Sequence, residues 1–364
     1  MKIKAAISYA EGEPLKIEEV DLLEPGIEDV LIRIVATGVC HTDAESINGR
    51  GAPFPAVLGH EGAGIVEKVG AGVSGIAPGD HVVLSYTYCG ECSQCQQGHQ
   101  NLCERTVELN FDGKSKDGTN KLFKNDKAIA TFFGQSSFAT YSLANKANVV
   151  KVAKDVDLSL LGPLGCGIQT GSGTVMNSLK PEAGSSIVIY GAGAVGLSAV
   201  MAAKIMGLRD IIVVDLHDKR LELAEELGAT HTLNGRTVEV VETIKKITSG
   251  GAHYGIETTG ATPVIKEAIA ALRIAGKLSI VGMGGDVTIN FTEDLLMEGK
   301  SLIGTVQGDS IPQLHIPKLV QYYKEGKFPF DKLVKFYDFE QINEAFEDSK
   351  TGDTIKPIVK ISNI

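Results

Sequence analysis

Apolar positions along the chain follow two rhythms. Before about residue 160 they come in short runs, KIKAAIS at 2–8, VLIRIVA at 30–36 and GAGIVEKV at 62–69, parted by glycine and proline. Short runs bounded by turn residues predict a mostly β region. Beyond Ser185 the rhythm changes to alternating strands and helices. The apolar strand SSIVIY leads into a helical run that closes at Gly207, and IIVVD, ending at Asp215, is the next strand. A helix is expected over about 219–227 with a turn at Gly228, and another near 238–248. The strand YGIETTG (254–260), a helix near 263–272 and the strand KLSIVGMGG (277–285) follow. Such βαβ repetition predicts a parallel, doubly wound sheet. The tail from about 312 to 364 reads as helix and strand without a fingerprint, and is expected to pack back on the first region.

A chain of 364 residues is too long for one comfortable hydrophobic core, so two domains are expected. The rhythm places a β domain over 1–167 with a cysteine-rich lobe at 88–104, a dinucleotide-binding domain over 168–308, and a returning segment over 309–364. No apolar run approaches the roughly 18 residues of a membrane span. The N-terminal stretch also lacks a hydrophobic signal segment, so a cytoplasmic protein is expected. The net charge of −10 speaks against nucleic acid or an anionic membrane as partner, because phosphate binding needs a basic face.

The strand before Gly191 opens into Gly191-x-Gly193-x-x-Gly196 and then a helix. Glycines there permit a tight turn and close approach of backbone to a pyrophosphate, whose charge meets the helix N-terminus. Asp215 ends the following strand, about 20 residues on, where an acid can accept hydrogen bonds from both ribose hydroxyls. It would repel a 2′-phosphate, so NAD is favoured over NADP.

Four of the six cysteines crowd into YCGECSQCQQGHQNLCE, as Cys89, Cys92, Cys95 and Cys103. In a reducing compartment a disulfide knot is disfavoured, and a redox pair is a lone C-x-x-C rather than overlapping ones. Four thiolates on short loops suit tetrahedral zinc, with an iron–sulfur cluster as the alternative. Such a set leaves no open position, so this zinc would be structural. Cys40 and Cys166 remain, each in a glycine-flanked stretch, with His60 between them in VLGHEGAGIVEKVG. Two thiols and an imidazole make a three-ligand set suited to catalytic zinc. Taken singly, each of the three also reads as an ordinary core residue.

Together GHEGAGIVEKVG, the four-cysteine lobe, GCGIQTG, GAGAVG and the closing TIKPIVKI resemble the zinc-dependent medium-chain alcohol dehydrogenases along essentially the whole chain. PLGCGIQTGSG and FFGQSSFATYSLA resemble the bacterial branch acting on benzyl alcohol or geraniol. The fold implied is α/β, a GroES-like β domain plus a Rossmann domain with the active site between them. The activity implied is reversible oxidation of aromatic or allylic primary alcohols to aldehydes, with hydride passing to NAD and two zinc ions per chain.

By the same resemblance Cys40, His60 and Cys166 hold the catalytic zinc, and Thr42 passes the alcohol proton away. Asp43 steadies the imidazole of His60, with a local turn cap as its alternative, and Glu61 lies near the metal. Thr170 and Val195 line the nicotinamide. His41, Arg220 and Lys356 belong with the cofactor residues, His41 and Lys356 standing where arginines are common. Glu45 replaces a histidine that often ends the proton relay. Phe132 and Phe133, with Tyr86 and Leu109, line the substrate channel. The partners implied are a small alcohol or aldehyde and further copies of the chain, as a dimer or tetramer, through the sheet edge around SLIGTVQG. Glutathione-dependent formaldehyde dehydrogenases share CHTDA, LGHEGAGIVE and CGEC, and a non-catalytic, crystallin-like protein is the reading from another class.

Overall fold

The computed structural model describes residues 1–362. The chain forms two compact units, one of Met1–Gly167, Ile311–Lys324 and the tail from Phe330, the other of Ile168–Ser310 with 325–329.

The first unit is mostly β. Among the described residues one five-stranded sheet runs Ala56–Val57, Lys2–Ser8, Lys16–Leu22, Leu122–Lys124 and Lys127–Ile129 in spatial order. A second, seven-stranded sheet is centred on Asp29–Gly38, which is buried along nearly its whole length. A strand covered on both faces shows no alternation of apolar and polar positions, and here every residue but Arg33 is buried. The tail reaches this centre: Lys356–Lys360 pairs antiparallel with Asp29–Gly38, Val359 opposite Thr37, and parallel with Val334–Asp338. Phe132, Phe138, Tyr337, Phe339 and Val359 share one core cluster, so N-terminal and C-terminal segments bury each other.

The second unit holds the expected doubly wound sheet. Its six strands are all parallel, and numbered along the chain they stand in the order 3-2-1-4-5-6. That order reverses direction between Ser186–Tyr190 and Ala252–Glu257, and the crevice beyond the carboxyl ends of those strands is where such sheets take ligands. Helices Asp218–Leu227, Val240–Thr248 and Thr262–Ala271 fall within two residues of the expected bounds. Two strands end early. The strand expected to reach Gly260 stops at Glu257, whose carboxylate turns to accept hydrogen bonds from the amides of Thr259 and Gly260. The strand expected to reach Gly285 stops at Ile280, just before the backbone passes tightly under that same turn at Gly260. Among the described residues no helix is long and apolar enough to cross a membrane.

Candidate active site

Cys40 caps the short helix His41–Ile47, and the carboxylate of Asp43 accepts from the Cys40 amide at 3.1 Å. Its other oxygen meets Nδ1 of His60 at 3.0 Å and accepts from the Gly59 amide at 3.0 Å. Asp43 thus makes contacts at both places, the helix N-terminus and the imidazole. With Nδ1 so engaged, Nε2 of His60 is the free ring nitrogen, and it is buried without a hydrogen-bond partner among the described residues. Sγ of Cys40 and Cys166, a ring nitrogen of His60 and a carboxylate oxygen of Glu61 all lie within 4.8 Å of one another. A tetrahedron with arms of about 2.3 Å has edges near 3.8 Å. A buried orphan nitrogen between two thiols is costly unless a cation meets it, so these residues fit a zinc ion. Cys166 hydrogen-bonds the Cys40 sulfur, holding that thiol well below its ordinary range, while the Cys166 thiol itself is pushed up.

Beside this cluster stands a buried ion pair. The Lys356 ammonium donates to both Glu61 oxygens at 3.0 Å and to the Val39 carbonyl at 3.1 Å. Three acceptors use all three of its N–H groups. The resemblance implies a place for Lys356 among the cofactor residues; in this structure its ammonium is engaged by Glu61 and Val39. Burial pushes the Glu61 carboxyl up to about 7 against the pull of Lys356. For the lysine, burial is outweighed by the charge of Glu61, and its range moves up.

The four-cysteine lobe is compact. Sγ of Cys89 and Cys95 are 3.8 Å apart, and all four sulfurs lie within 4.8 Å of one another. The Cys89 sulfur accepts from the amides of Glu91 and Cys92, and the Cys103 sulfur from the amide of Cys89, at 3.3–3.4 Å. Amides aimed at sulfur favour thiolates, the form a metal binds. Leu109 packs among these cysteines.

In the second unit Gly191 has a φ of 94°, which a side chain would strain, and a Cβ at Gly196 would stand 1.8 Å from the Gly191 carbonyl oxygen. A Cβ at Gly193 would meet nothing, leaving room against the amides of the helix Ala194–Ile205. A cavity of about 290 Å³ adjoins this turn, lined among others by Gly191, Asp215, Arg220, His217, Tyr190 and Glu267. Asp215 accepts from the amides of Ala192, Leu216 and His217, which fixes its carboxylate at the cavity and leaves one lone-pair site, on Oδ2, for a hydroxyl. These features fit a dinucleotide. The helix carrying Thr170 lies against the glycine-rich turn, since a Cβ on Gly171 would stand 1.9 Å from the Val195 carbonyl oxygen.

Thr42 Oγ1 lies 3.8 Å from the Cys40 sulfur. His41 is exposed, its Nε2 3.7 Å from Glu45, whose carboxylate also pairs with Arg50 at 2.8 Å. Tyr86, Phe132 and Phe133 are buried in one core cluster, the two phenylalanines against His60 itself. Sequence reasoning missed Gln135, which donates to the His60 and Ser85 carbonyls at 3.0 Å, and the cavity residues Tyr190, His217 and Glu267. His217 was findable, two residues beyond the acid that ends the second strand; Tyr190 and Glu267 reach the cavity from separate elements and carry no local signal.

Comparison with known proteins supports the same picture. The model of the alcohol dehydrogenase GroES-like domain matches residues 26–154, and that of the zinc-binding dehydrogenase matches residues 194–324. Geraniol dehydrogenase of Castellaniella defragrans is 44% identical over 98% of this chain and 97% of the relative. S-(hydroxymethyl)glutathione dehydrogenase of Komagataella pastoris is 35% identical over 99% of this chain and 97% of the relative. The crystal structure of benzyl alcohol dehydrogenase from Acinetobacter calcoaceticus superposes with a TM-score of 0.96 at 47% identity, covering 100% of both chains. The chain belongs to the zinc-binding medium-chain alcohol dehydrogenases, with a GroES-like domain and a Rossmann-type parallel-sheet domain.

Proposed function

We propose that this protein oxidises aromatic or allylic primary alcohols to aldehydes, reversibly, with NAD as hydride acceptor and two zinc ions per chain. The observation that carries the reading is the buried, partnerless Nε2 of His60 set between the thiols of Cys40 and Cys166. When bound there, zinc supplies a Lewis acid that makes an alcohol hydroxyl easier to deprotonate. Asp43 keeps the Nδ1 proton in place, so that Nε2 presents its lone pair. Thr42 takes the alcohol proton and passes it outward. Asp215 holds a ribose hydroxyl of NAD and repels a 2′-phosphate, while the amides after Gly193 receive the pyrophosphate. The cysteines of the lobe hold the second ion for structure alone. All six cysteines fall in the two metal-ligating clusters, and no disulfide forms among the described residues, in keeping with a cytoplasmic location. The edge strand Ser301–Gly304, with the exposed Leu296 and Met297 nearby, is where we place self-association.

The substrate class rests on two relatives, whose names say geraniol and benzyl alcohol. The relative acting on S-(hydroxymethyl)glutathione supplies the rival reading. NADH formation should be followed with benzyl alcohol, geraniol, ethanol and S-hydroxymethylglutathione, each with NAD and NADP, before and after chelation. Benzyl alcohol or geraniol should exceed ethanol in kcat/KM by at least about tenfold, the scale on which an apolar pocket discriminates. Activity should need NAD and vanish on chelation. A preference for the glutathione adduct moves the protein to the rival branch, and a zinc-loaded protein that turns over none of the four refutes the proposal.

A further inference from the structure

The turn that follows Thr131 has an unusual backbone. Phe133, Gly134 and Ser136 have φ values of 51°, 57° and 52°. A bulky aromatic residue rarely adopts that left-handed region, and such outliers persist only where the surroundings over-determine them. Here they do. The Phe133 amide donates to the Asn110 carbonyl at 2.9 Å. Its carbonyl accepts from Thr87 Oγ1 at 3.1 Å and from Asn148 Nδ2 at 2.9 Å. A core phenylalanine needs no such backbone merely to fill space.

What the turn achieves is the placing of one ring. Phe133 stacks on the imidazole of His60, centroids 4.5 Å apart and planes 24° from parallel. Phe132 meets the same imidazole edge-on at 5.5 Å and 83°, and the two phenylalanines pack on each other at 4.8 Å. Two residues on, Gln135 donates to the His60 carbonyl. One turn therefore grips this histidine by its ring and by its backbone. The Asp43 hydrogen bond holds Nδ1, but a hydrogen bond tolerates about 30° of misalignment. A stacked face removes the remaining roll of the ring.

We propose that Phe133 is a positioning residue for the metal: its ring, presented by a strained turn, fixes the plane of His60 so that Nε2 stays aimed between Cys40 and Cys166. This rests on the metal-centre reading above, and it gives Phe133 a task other than lining the substrate channel.

The test uses the full-length protein carrying zinc or cobalt, because the cysteine lobe provides a second ion as internal control. Release of each ion to a chelator is timed, and the cobalt ligand-field bands are recorded. In Phe133→Leu the ion at Cys40, His60 and Cys166 should leave about 10- to 100-fold faster, the range for losing a residue that orients a ligand. Its cobalt bands should shift, while the lobe ion leaves at the wild-type rate. Phe133→Tyr keeps the ring face and should keep wild-type release. Phe138→Leu truncates a buried ring that pairs with Phe346 and not with the His60 ring among the described residues, and should leave release and spectrum unchanged. If Phe133→Leu fails to fold, Phe133→Met carries the test, as a flexible filler without a face. Wild-type release and spectrum in Phe133→Leu, or equal acceleration in Phe138→Leu, overturns the proposal. A wild-type protein that takes up only the lobe ion instead overturns the metal-centre reading itself.

Discussion

Lys356 lies 295 residues from Glu61 in sequence and 3.0 Å from it in space. Each is buried, so each is tolerable only while the other is charged. Breaking a buried pair by removing one partner costs about 3–5 kcal/mol, whereas replacing both by apolar groups is often close to neutral. Lys356→Met should therefore lose roughly that much stability in urea unfolding, and Lys356→Met with Glu61→Leu should recover most of it. A loss below about 1 kcal/mol in the single variant would mean that Glu61 simply takes up a proton there. This is also the scale at which the sequence is least complete. The residue types around His60 were visible, since thiols and an imidazole in such company suggest a metal. Lys356 was visible too, but not its partner, because long-range pairing leaves no local trace. Nor did two adjacent phenylalanines disclose that one of them would stack on the histidine, because an FF pair in a core and one that clasps a ligand are spelled alike.

At the scale of elements, periodicity located the strands and helices because burial dictates it. Glycine-rich stretches located the turns. What periodicity could not see were endings set by tertiary hydrogen bonds, as at Glu257, and the assignment of Leu109 to the cysteine lobe. The helix Pro312–Lys324 shows what else burial imposes. It buries His315, and loss of water, with Lys318 nearby, lowers the imidazole from its ordinary 6.5 to about 4. The neutral form is thus the one that fits the fold. A histidine depressed in the native state contributes stability that is complete above pH 6.5 and is lost as the pH falls towards 4. At 1.36 kcal/mol per pH unit the loss is about 3 kcal/mol. Urea unfolding of wild type and His315→Gln at pH 7, 5.5 and 4 isolates this contribution as the difference in their pH slopes. Parallel slopes would mean that His315 is protonated in the fold without penalty.

At the scale of the molecule the chain is threaded so that its two ends meet. The strands of the parallel sheet all come from one continuous stretch, 186 to 304, and hydrogen-bond to one another. The other unit is discontinuous: Lys356–Lys360 supplies a strand beside Asp29–Gly38, and Tyr337, Phe339 and Val359 complete the cluster that holds Phe132 and Phe138. Ending the chain after Ser310 would open an edge in the seven-stranded sheet, uncover that cluster and leave Glu61 buried without Lys356. Two fragments should then behave differently. The stretch 168–310 should melt cooperatively by circular dichroism and still bind NAD, because its sheet, glycine turn and Asp215 are all its own. The fragment 1–310 should bind NAD yet hold no ion at Cys40, His60 and Cys166, since the unit that shapes them lacks a central strand. Ion counting per chain, with NAD titration as the control for folding of the second unit, separates the cases. If 1–310 keeps two ions, the tail is an accessory and not part of the architecture that orders the metal centre.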